Sequence, residues 1–278
     1  QKYRARPASE WAPQPRTCVV GEGSYYESVA IHHVKGSAES PVMIRAAPDS
    51  NVSLHGTIDV SGWTEHMRLP LPSGGEAIIW ESEPLSQNVW QLWMQPSGQS
   101  QSTPQAQKRM EMMVPARWPN ARFSDRTVFR REFWGKQRHS LSHGCTHDCS
   151  VHGCLKELGY DSAEDCTSTE ARQGVLVDDG SGNRNLSTAT WNGQPLDATG
   201  AIAVMNSGSW QTFQQVVDHH TPGSDRFTYT ADFVLYKFET NGYFLEGKKE
   251  FLDGPEEWWI DTATRKVYLI TDDGQSPS

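Results

Sequence analysis

The 278-residue sequence has no apolar run approaching the roughly 18 residues that a membrane-spanning helix requires. It is also poor in basic residues, with 25 Lys and Arg against 34 Asp and Glu and a formal charge of −9. Nucleic acids and anionic membrane surfaces both attract clustered cations. These two shortages exclude an apolar spanning helix and argue against nucleic acid as a partner.

Recognisable catalytic signatures are missing as well. The sequence has no G-x-S-x-G nucleophile motif and no complete G-x-x-x-x-G-K-[ST] phosphate loop. Adjacent acidic pairs occur at 178–179, 256–257 and 272–273, but neighbours in a strand point to opposite faces and do not form a glycosidase dyad. Residues of a type that suits a lyase base are Arg117, Arg122, His219 and His220. Their spacing selects none of them, so the residues predict no catalytic centre and leave enzymatic activity open.

Cysteine is scarce, and four of the five cysteines lie close together. They are Cys145, Cys149, Cys154 and Cys166. Their spacings match no common zinc module, so we predict two disulfides that staple a polar loop, and no metal. Cys18 stands alone in an apolar stretch. We expect it to be a buried free thiol or the partner of one of the other four.

Two Asn-x-Ser sequons, at Asn51 and Asn185, lie beside turn-rich sequence. They are predicted glycosylation sites. Together with the cysteine pattern and a first residue that is Gln, they predict a mature, secreted, extracellular glycoprotein.

Residues 18–63 consist of short apolar bursts separated by turn residues, after an extended arm at 1–17. Val19 to Val42 spans 23 residues, and so does Val29 to Val52. A repeat of this length without helical periodicity predicts turns that stack on one another and form parallel sheets, as in a β-helix.

Residues 64–278 have the alternating pattern of half-buried antiparallel strands, for example around Phe227 and Tyr229 and around Val267 and Leu269. Asp261–Arg265 predicts a hairpin connection. The pattern is interrupted at 138–195 by the cysteine-rich segment and a Gly/Asp/Asn-rich loop, which we interpret as an insertion. The sequence is therefore predicted to be all-β.

Several segments together resemble a known group. These are "GSYYESVAI", "SPVMIRAAPDSNVSLHGT", "PARWPNARF" and "GYFLEGKKEFLDGPEEWWIDTATRKVYLITDDG". They are similar to the N-terminal region of secreted right-handed parallel β-helix proteins, which include pectate-lyase-like polysaccharide lyases and several glycoside hydrolases. The resemblance implies the start of a right-handed β-helix with an inserted antiparallel β module.

In that group, further coils normally follow the last of these segments and carry the substrate groove and the catalytic residues. Few residues follow it here. The resemblance therefore implies either a fragment of a longer protein or a protein that keeps the cap and lacks the catalytic coils. If the protein is an enzyme, the expected activity is that of a polysaccharide lyase or a glycoside hydrolase with catalytic coils beyond this chain.

Tryptophan is abundant, with 11 residues. Its ring stacks on the apolar faces of sugars, and exposed aromatic side chains on β modules serve this purpose. Polar neighbours in the "ARWPN" segment add possible sugar contacts. The candidate carbohydrate-binding residues are Trp90, Trp93, Arg117, Trp118, Asn120, Trp258 and Trp259.

Two functional hypotheses follow. The first is an extracellular carbohydrate-binding or carbohydrate-active protein whose partner is a polysaccharide or glycan and which needs no cofactor. The second is a structural subunit of an extracellular wall, sheath or filament that self-associates through an open β-helix end or edge strands.

Overall fold

The computed structural model describes residues 16–27, 29–32, 34–70, 75–95, 110–138, 142, 173–181, 184–208, 211–231 and 242–277. These residues form β-strands and short 3₁₀ helices, which confirms the all-β prediction. None of their helices is long and apolar enough to cross a membrane. The chain divides into two compact units, Gln1–Val60 and Ser61–Ser278.

The described residues of the first unit include four short strands, which pair two by two. Strand β1 (Arg16–Val20) runs parallel to β3 (Val42–Ala46), and β2 (Gly23–Tyr26) runs parallel to β4 (Val52–His55). Arg16 lies opposite Val42 and Gly23 opposite Val52, so the offsets are 26 and 29 residues. The predicted offset of 23 is wrong, because the apolar burst at Val29 lies between strands and pairs with neither β3 nor β4.

The strands of the first unit leave much of their apolar surface in solvent. Every side chain of β3 is exposed, and Ile44 exposes 52% of its surface. Cys18 in β1 is an exposed free thiol, so its predicted burial is wrong. The physical reason is that a two-stranded pair has too little surface to enclose its own side chains.

The described residues of the second unit form two larger sheets. The first has seven strands, which are β10 (Arg117–Trp118), β11 (Gly135–Lys136), β12 (Gln173–Val177), β15 (Ile202–Gly208), β16 (Gln211–His220), β17 (Arg226–Thr230) and β18 (Gly242–Glu246). The second has the order β5-β6-β20-β19-β9, formed by Thr64–Pro70, Glu76–Glu81, Lys266–Ile270, Glu257–Asp261 and Val114–Pro115. All pairs in these sheets are antiparallel except β9 with β19.

Two small hairpins and four 3₁₀ turns complete the described elements. The hairpins pair β7 (Trp93–Met94) with β8 (Glu111–Met112) and β13 (Thr190–Trp191) with β14 (Gln194–Pro195). The 3₁₀ turns are Thr127–Phe129, Arg131–Phe133, Leu186–Thr188 and Lys249–Phe251.

One hydrophobic core joins the two sheets of the second unit. Phe227 and Tyr229 of β17, Tyr243 and Leu245 of β18 and Ile79 of β6 belong to it. The alternation of β17 predicts its inward residues correctly, since Phe227 and Tyr229 are buried and Thr228 between them is half-buried. Burying each such side chain contributes about 1.5–3 kcal/mol.

The predicted hairpin at 261–265 is confirmed. Strands β19 and β20 pair with Trp259 opposite Tyr268, and the Arg265 N–H donates to the Asp261 carbonyl at 2.7 Å. Part of the proposed insertion at 138–195 is sheet, since β12 pairs with β17 and buries Leu176 completely. Cys145, Cys149, Cys154 and Cys166 lie outside the described residues, and their disulfides stay a prediction.

Candidate functional site

Among the tryptophans that the structure describes, the most exposed lie in β7 or shortly before it. Trp90 exposes 85% of its surface, and Trp93, which lies opposite Met112, exposes 46%. Met110 is also exposed and precedes Glu111 in β8, so alternation places it on the Trp93 face of the hairpin. We call Trp90, Trp93 and Met110 the tryptophan edge. Both indoles have ring surface in solvent that a ligand can cover.

The neighbouring residues Trp258 and Trp259 of β19 have different environments. Trp258 is 3% exposed, which removes it from the rings that can stack on a sugar without rearrangement. Trp259 is half-buried, its Nε1–H donates to the Gly247 carbonyl at 3.1 Å, and its ring centroid lies 5.5 Å from that of Tyr268. Trp259 therefore retains a partly open ring face.

The segment Arg117–Asn120 forms a braced turn with a cis peptide bond between Trp118 and Pro119. Arg117 is buried, its Nε–H donates to the Pro119 carbonyl at 3.0 Å, and its guanidinium lies 3.9 Å from the centre of the Phe244 ring. Desolvation lowers the pKa of Arg117 to about 10. The guanidinium group of Arg117 therefore makes its contacts inside the protein and does not face a ligand.

Trp118 and Asn120 of this turn are more exposed than Arg117. Trp118 is half-buried against Tyr243, with 5.9 Å between ring centroids. Asn120 is exposed and donates from Nδ2 to Asp253 Oδ1 at 2.7 Å. Of the predicted polar contacts to sugar, Asn120 is the one that reaches solvent.

Asp253 belongs to a pair of carboxyl groups that the sequence did not reveal. Glu257 is completely buried and accepts the backbone N–H groups of Asp253 and Gly254 through Oε2, at 3.2 and 3.0 Å. Desolvation raises the pKa of Asp253 to about 6, and it raises that of Glu257 well above its usual range. Because Glu257 is enclosed, this pair braces the chain beside Asn120 and does not flank an open cleft.

A second polar group lies on the sheet β5-β6-β20-β19. It comprises His66, Glu81, Lys249, Lys266 and Tyr268, which we call the lysine–histidine cluster. His66 Nδ1 lies 3.0 Å from Glu81 Oε2, and Lys249 Nζ lies 2.7 Å from His66 Nε2. Lys266 Nζ donates to Glu81 Oε1 at 2.6 Å.

Within the cluster, the Tyr268 ring packs against both Lys249 and His66, and one arrangement of the ring proton of His66 is consistent with its contacts. Lys249 Nζ lies 4.6 Å from the centre of the Tyr268 ring, and His66 meets the same ring edge-on at 5.0 Å. With the ring proton on Nδ1, His66 directs an N–H toward Glu81 and accepts at Nε2 from Lys249. Desolvation and the contact with Glu81 raise the pKa of Tyr268 to about 12.

The pKa values of Glu81 and Lys249, at the two ends of the cluster, are lowered for different reasons. The hydrogen bond from Lys266 is the main cause that lowers the pKa of Glu81. Desolvation lowers the pKa of Lys249, against the opposing fields of Glu81, Glu250 and Asp261. The cluster thus holds a stable carboxylate at one end and an ammonium that is poorly solvated at the other.

The remaining predicted residues are placed as follows. Asn51 is exposed, whereas Asn185 is half-buried and its Oδ1 accepts the Ser187 N–H at 3.0 Å. His220 is buried, with Nδ1 accepting from the Ala198 N–H and Nε2 facing the Ser224 carbonyl at 3.2 Å. Within the part of the chain that the structure describes, no group of three or more His, Cys, Asp or Glu side chains is arranged to hold a metal.

Comparison with known proteins finds a distant structural likeness. No protein-family model matches the sequence, and no curated protein does either. A solved structure described as a glycoside hydrolase aligns with 93% of this chain at 15% sequence identity and a TM-score of 0.48. The chain spans 36% of the length of that protein.

Proposed function

We propose that this protein is an extracellular carbohydrate-binding protein that holds a polysaccharide or glycan on the tryptophan edge. The observation that carries the proposal is the 85% exposure of Trp90. Large apolar side chains left in water are costly, and a pair of exposed indoles is typical of surfaces that a ligand covers. The apolar face of a sugar ring suits the indole ring.

A second exposed indole lies in the same short segment. Trp93 follows Trp90 after three residues and shares its hairpin face with Met110. Two exposed rings in one segment favour a saccharide chain over a single sugar. Binding is favoured over catalysis because Glu257, one of the two carboxyl groups with a raised pKa beside Asn120, is completely buried.

The proposal includes a fold for the first unit. Residues 16–60 are proposed to be the start of a right-handed parallel β-helix. The supporting observation is that successive turns of the chain pair in parallel twice, β1 with β3 and β2 with β4.

Affinity electrophoresis of the whole chain in gels that contain plant and microbial polysaccharides tests the function. We expect retardation by at least one polysaccharide, and about tenfold weaker binding for Trp90→Ala and for Trp93→Ala, equivalent to about 1.4 kcal/mol. Phe129→Ala is the matched control, because Phe129 is 74% exposed at a different turn. Equal retardation of all three variants and the parent would refute the proposed surface.

A second candidate function rests on the apolar side chains of the first unit. Val19, Ile44 and Leu54 each expose about half of their surface on short parallel strands. Such strands are suited to pairing with another chain, as in a structural subunit of a wall, sheath or filament. Light scattering across a hundredfold concentration range tests it. A concentration-dependent mass that Ile44→Lys abolishes supports assembly, and a constant monomer mass rejects it.

A further inference from the structure

Lys249, His66 and Glu81 form a continuous chain of close polar contacts. Lys249 Nζ lies 2.7 Å from His66 Nε2, and His66 Nδ1 lies 3.0 Å from Glu81 Oε2. An amine, an imidazole and a carboxylate in this order are the parts of an activated nucleophile, its base and the group that orients the base.

The fold holds each of the three groups in place. His66 occupies a bulge in β5, where the pairing with β6 shifts between Glu65 and Met67. Bulges redirect a side chain from its regular direction, and here the ring meets Tyr268 edge-on. Glu81 is held by Lys266 at 2.6 Å, and it lies opposite Tyr268 in the pairing of β6 with β20.

The site is accessible and has an aromatic wall. His66 and Glu81 retain part of their side-chain surface in solvent, and Lys249 is half-buried. Trp259 is also half-buried and packs beside Tyr268 on the same sheet face. A small ligand with an apolar face and a polar reacting group fits these surroundings.

We propose that Lys249 is a nucleophilic amine that forms a Schiff base with a small aldehyde, with His66 as its base and Glu81 as a positioning carboxylate. The proposal concerns different residues from the tryptophan edge, and it does not depend on polysaccharide binding there.

Every proton transfer of the reaction takes place between Lys249, His66 and the substrate. The Lys249 ammonium passes a proton to His66 Nε2, and the imidazolium is stabilised by Glu81 at Nδ1–H. The amine lone pair attacks the carbonyl carbon, the C=O electron pair moves to oxygen, and that oxygen takes the proton from His66. The nitrogen then returns a proton to His66, which delivers it to the hydroxyl group as water leaves. An ammonium and an aldehyde thus become a protonated imine and water.

Lys248, which precedes Lys249 in the chain, serves as the reference lysine for this comparison. Its Nζ donates to the carbonyl oxygens of Asp197 and Thr199 at 2.7 and 3.0 Å. A peptide carbonyl accepts a hydrogen bond but does not take up the proton, whereas a neutral imidazole does. Lys249 faces the imidazole, and in addition desolvation lowers the pKa of Lys249. The two lysines are therefore a matched pair within one chain.

Reductive labelling tests the proposal. The whole chain is incubated at pH 7 with glyceraldehyde and cyanoborohydride, which reduces the imine to a stable secondary amine, and peptide fragmentation then locates the label. General-base assistance contributes about 10²-fold or more in enzymes. We therefore expect Lys249 to be labelled at least about tenfold faster than Lys248. Equal rates at the two lysines would overturn the proposal.

Two variants test whether the faster labelling of Lys249 results from His66 and Glu81 or only from the exposure of its side chain. His66→Gln is expected to bring the Lys249 rate down to the Lys248 rate, and Glu81→Gln to lower it several-fold, while the Lys248 rate reports that the fold is intact. The parent rate at Lys249 is expected to rise at lower pH than the rate of Nα-acetyl-lysine, and His66→Gln to remove this difference. A Lys249 rate and pH profile that neither variant alters would assign the cluster to a purely structural network. If one variant does not fold, the other variant and the ratio of the Lys249 and Lys248 labelling rates in the parent protein still test the proposal.

Discussion

The Nζ atom of Lys249 and the Nε2 atom of His66 lie 2.7 Å apart, although 183 positions separate the two residues in the chain. Strand β20 makes this meeting possible, because it pairs with β6 on one side and with β19 on the other. The Lys249–Phe251 turn and the bulge of β5 both lie against Tyr268 of that strand. The cluster is thus a product of sheet order and not of any local motif.

Removing the Asp253 charge is expected to change how stability depends on pH. Its folded-state pKa of about 6 lies above the unfolded value of about 3.9, so the folded protein binds more protons between these values. Stability is therefore lost as pH rises through this window, by up to about 3 kcal/mol for this one group. Asp253→Asn keeps an acceptor for Asn120 and removes the titration.

Urea unfolding at pH 4 and pH 7 measures this effect. The Asp253→Asn protein is expected to be more stable than the parent at pH 7 and similar to it at pH 4. Identical pH profiles for the two proteins would show that Asp253 is not the titrating group.

Two glycines lie directly opposite tyrosine rings in adjacent strands. A Cβ atom at Gly174 would lie 2.5 Å from Tyr229, and one at Gly135 would lie 2.8 Å from Tyr243. Both tyrosines are fully buried, so the rings have little room to retreat. We expect Gly174→Ala and Gly135→Ala to cost about 1–3 kcal/mol each in the free energy of unfolding.

The control for these glycines is Gly56→Ala, because a Cβ at Gly56 would meet nothing within 4 Å. Its expected effect is within about 0.5 kcal/mol. Chemical denaturation of the three variants gives the comparison. A Gly174→Ala protein as stable as the Gly56→Ala protein would contradict the packing of Tyr229 against β12.

Truncating a core leucine is expected to be far more damaging than truncating an exposed valine. Leu245 of β18 is completely buried in the core of the second unit, so Leu245→Ala is expected to cost about 2–5 kcal/mol. Val216 of β16 is mostly exposed, and Val216→Ala is expected to cost less than about 0.5 kcal/mol. Thermal unfolding monitored by circular dichroism distinguishes the two, and comparable losses would contradict the assigned core.

The thiol of Cys18 is expected to react in the native protein. It is exposed and free, whereas the predicted disulfides of Cys145, Cys149, Cys154 and Cys166 would protect those sulfurs from alkylation. Iodoacetamide treatment before and after reduction, followed by peptide mass mapping, measures both. Labelling of the four cysteines without reduction would reject the disulfide prediction, and protection of Cys18 would contradict its exposure in β1.

Local patterns predicted a substantial part of the second unit. The alternation at Phe227 and Tyr229 and the turn at 261–265 depend on near neighbours in sequence, and both are observed. The first unit shows the limit of this reasoning, since the spacing between Val29 and Val52 is regular although Val29 lies outside any strand. Periodicity locates apolar residues but does not reveal which of them enter a sheet.

The polar groups were beyond prediction for a different reason. The raised pKa of Asp253 arises from burial, and the contact between His66 and Lys249 requires a bulge together with a distant 3₁₀ turn. Neither burial nor a bulge has a signal in the spacing of charged residues. The exposure of Trp90 likewise has no signal in the sequence, although its residue type alone made it a candidate.

The five-stranded sheet is split in sequence, and this has a consequence for how the protein is made. Strands β5 and β6 leave the ribosome before the other strands of their sheet, but the edge of β6 is paired by β20, whose Val267 N–H donates to Ser82 Oγ across 185 positions. During synthesis this edge stays unpaired until β20 has emerged, and an unpaired strand edge promotes aggregation. Chains cut before residue 257 therefore retain an early hairpin that lacks its partner, and co-expression of residues 242–278 is the natural means of supplying it.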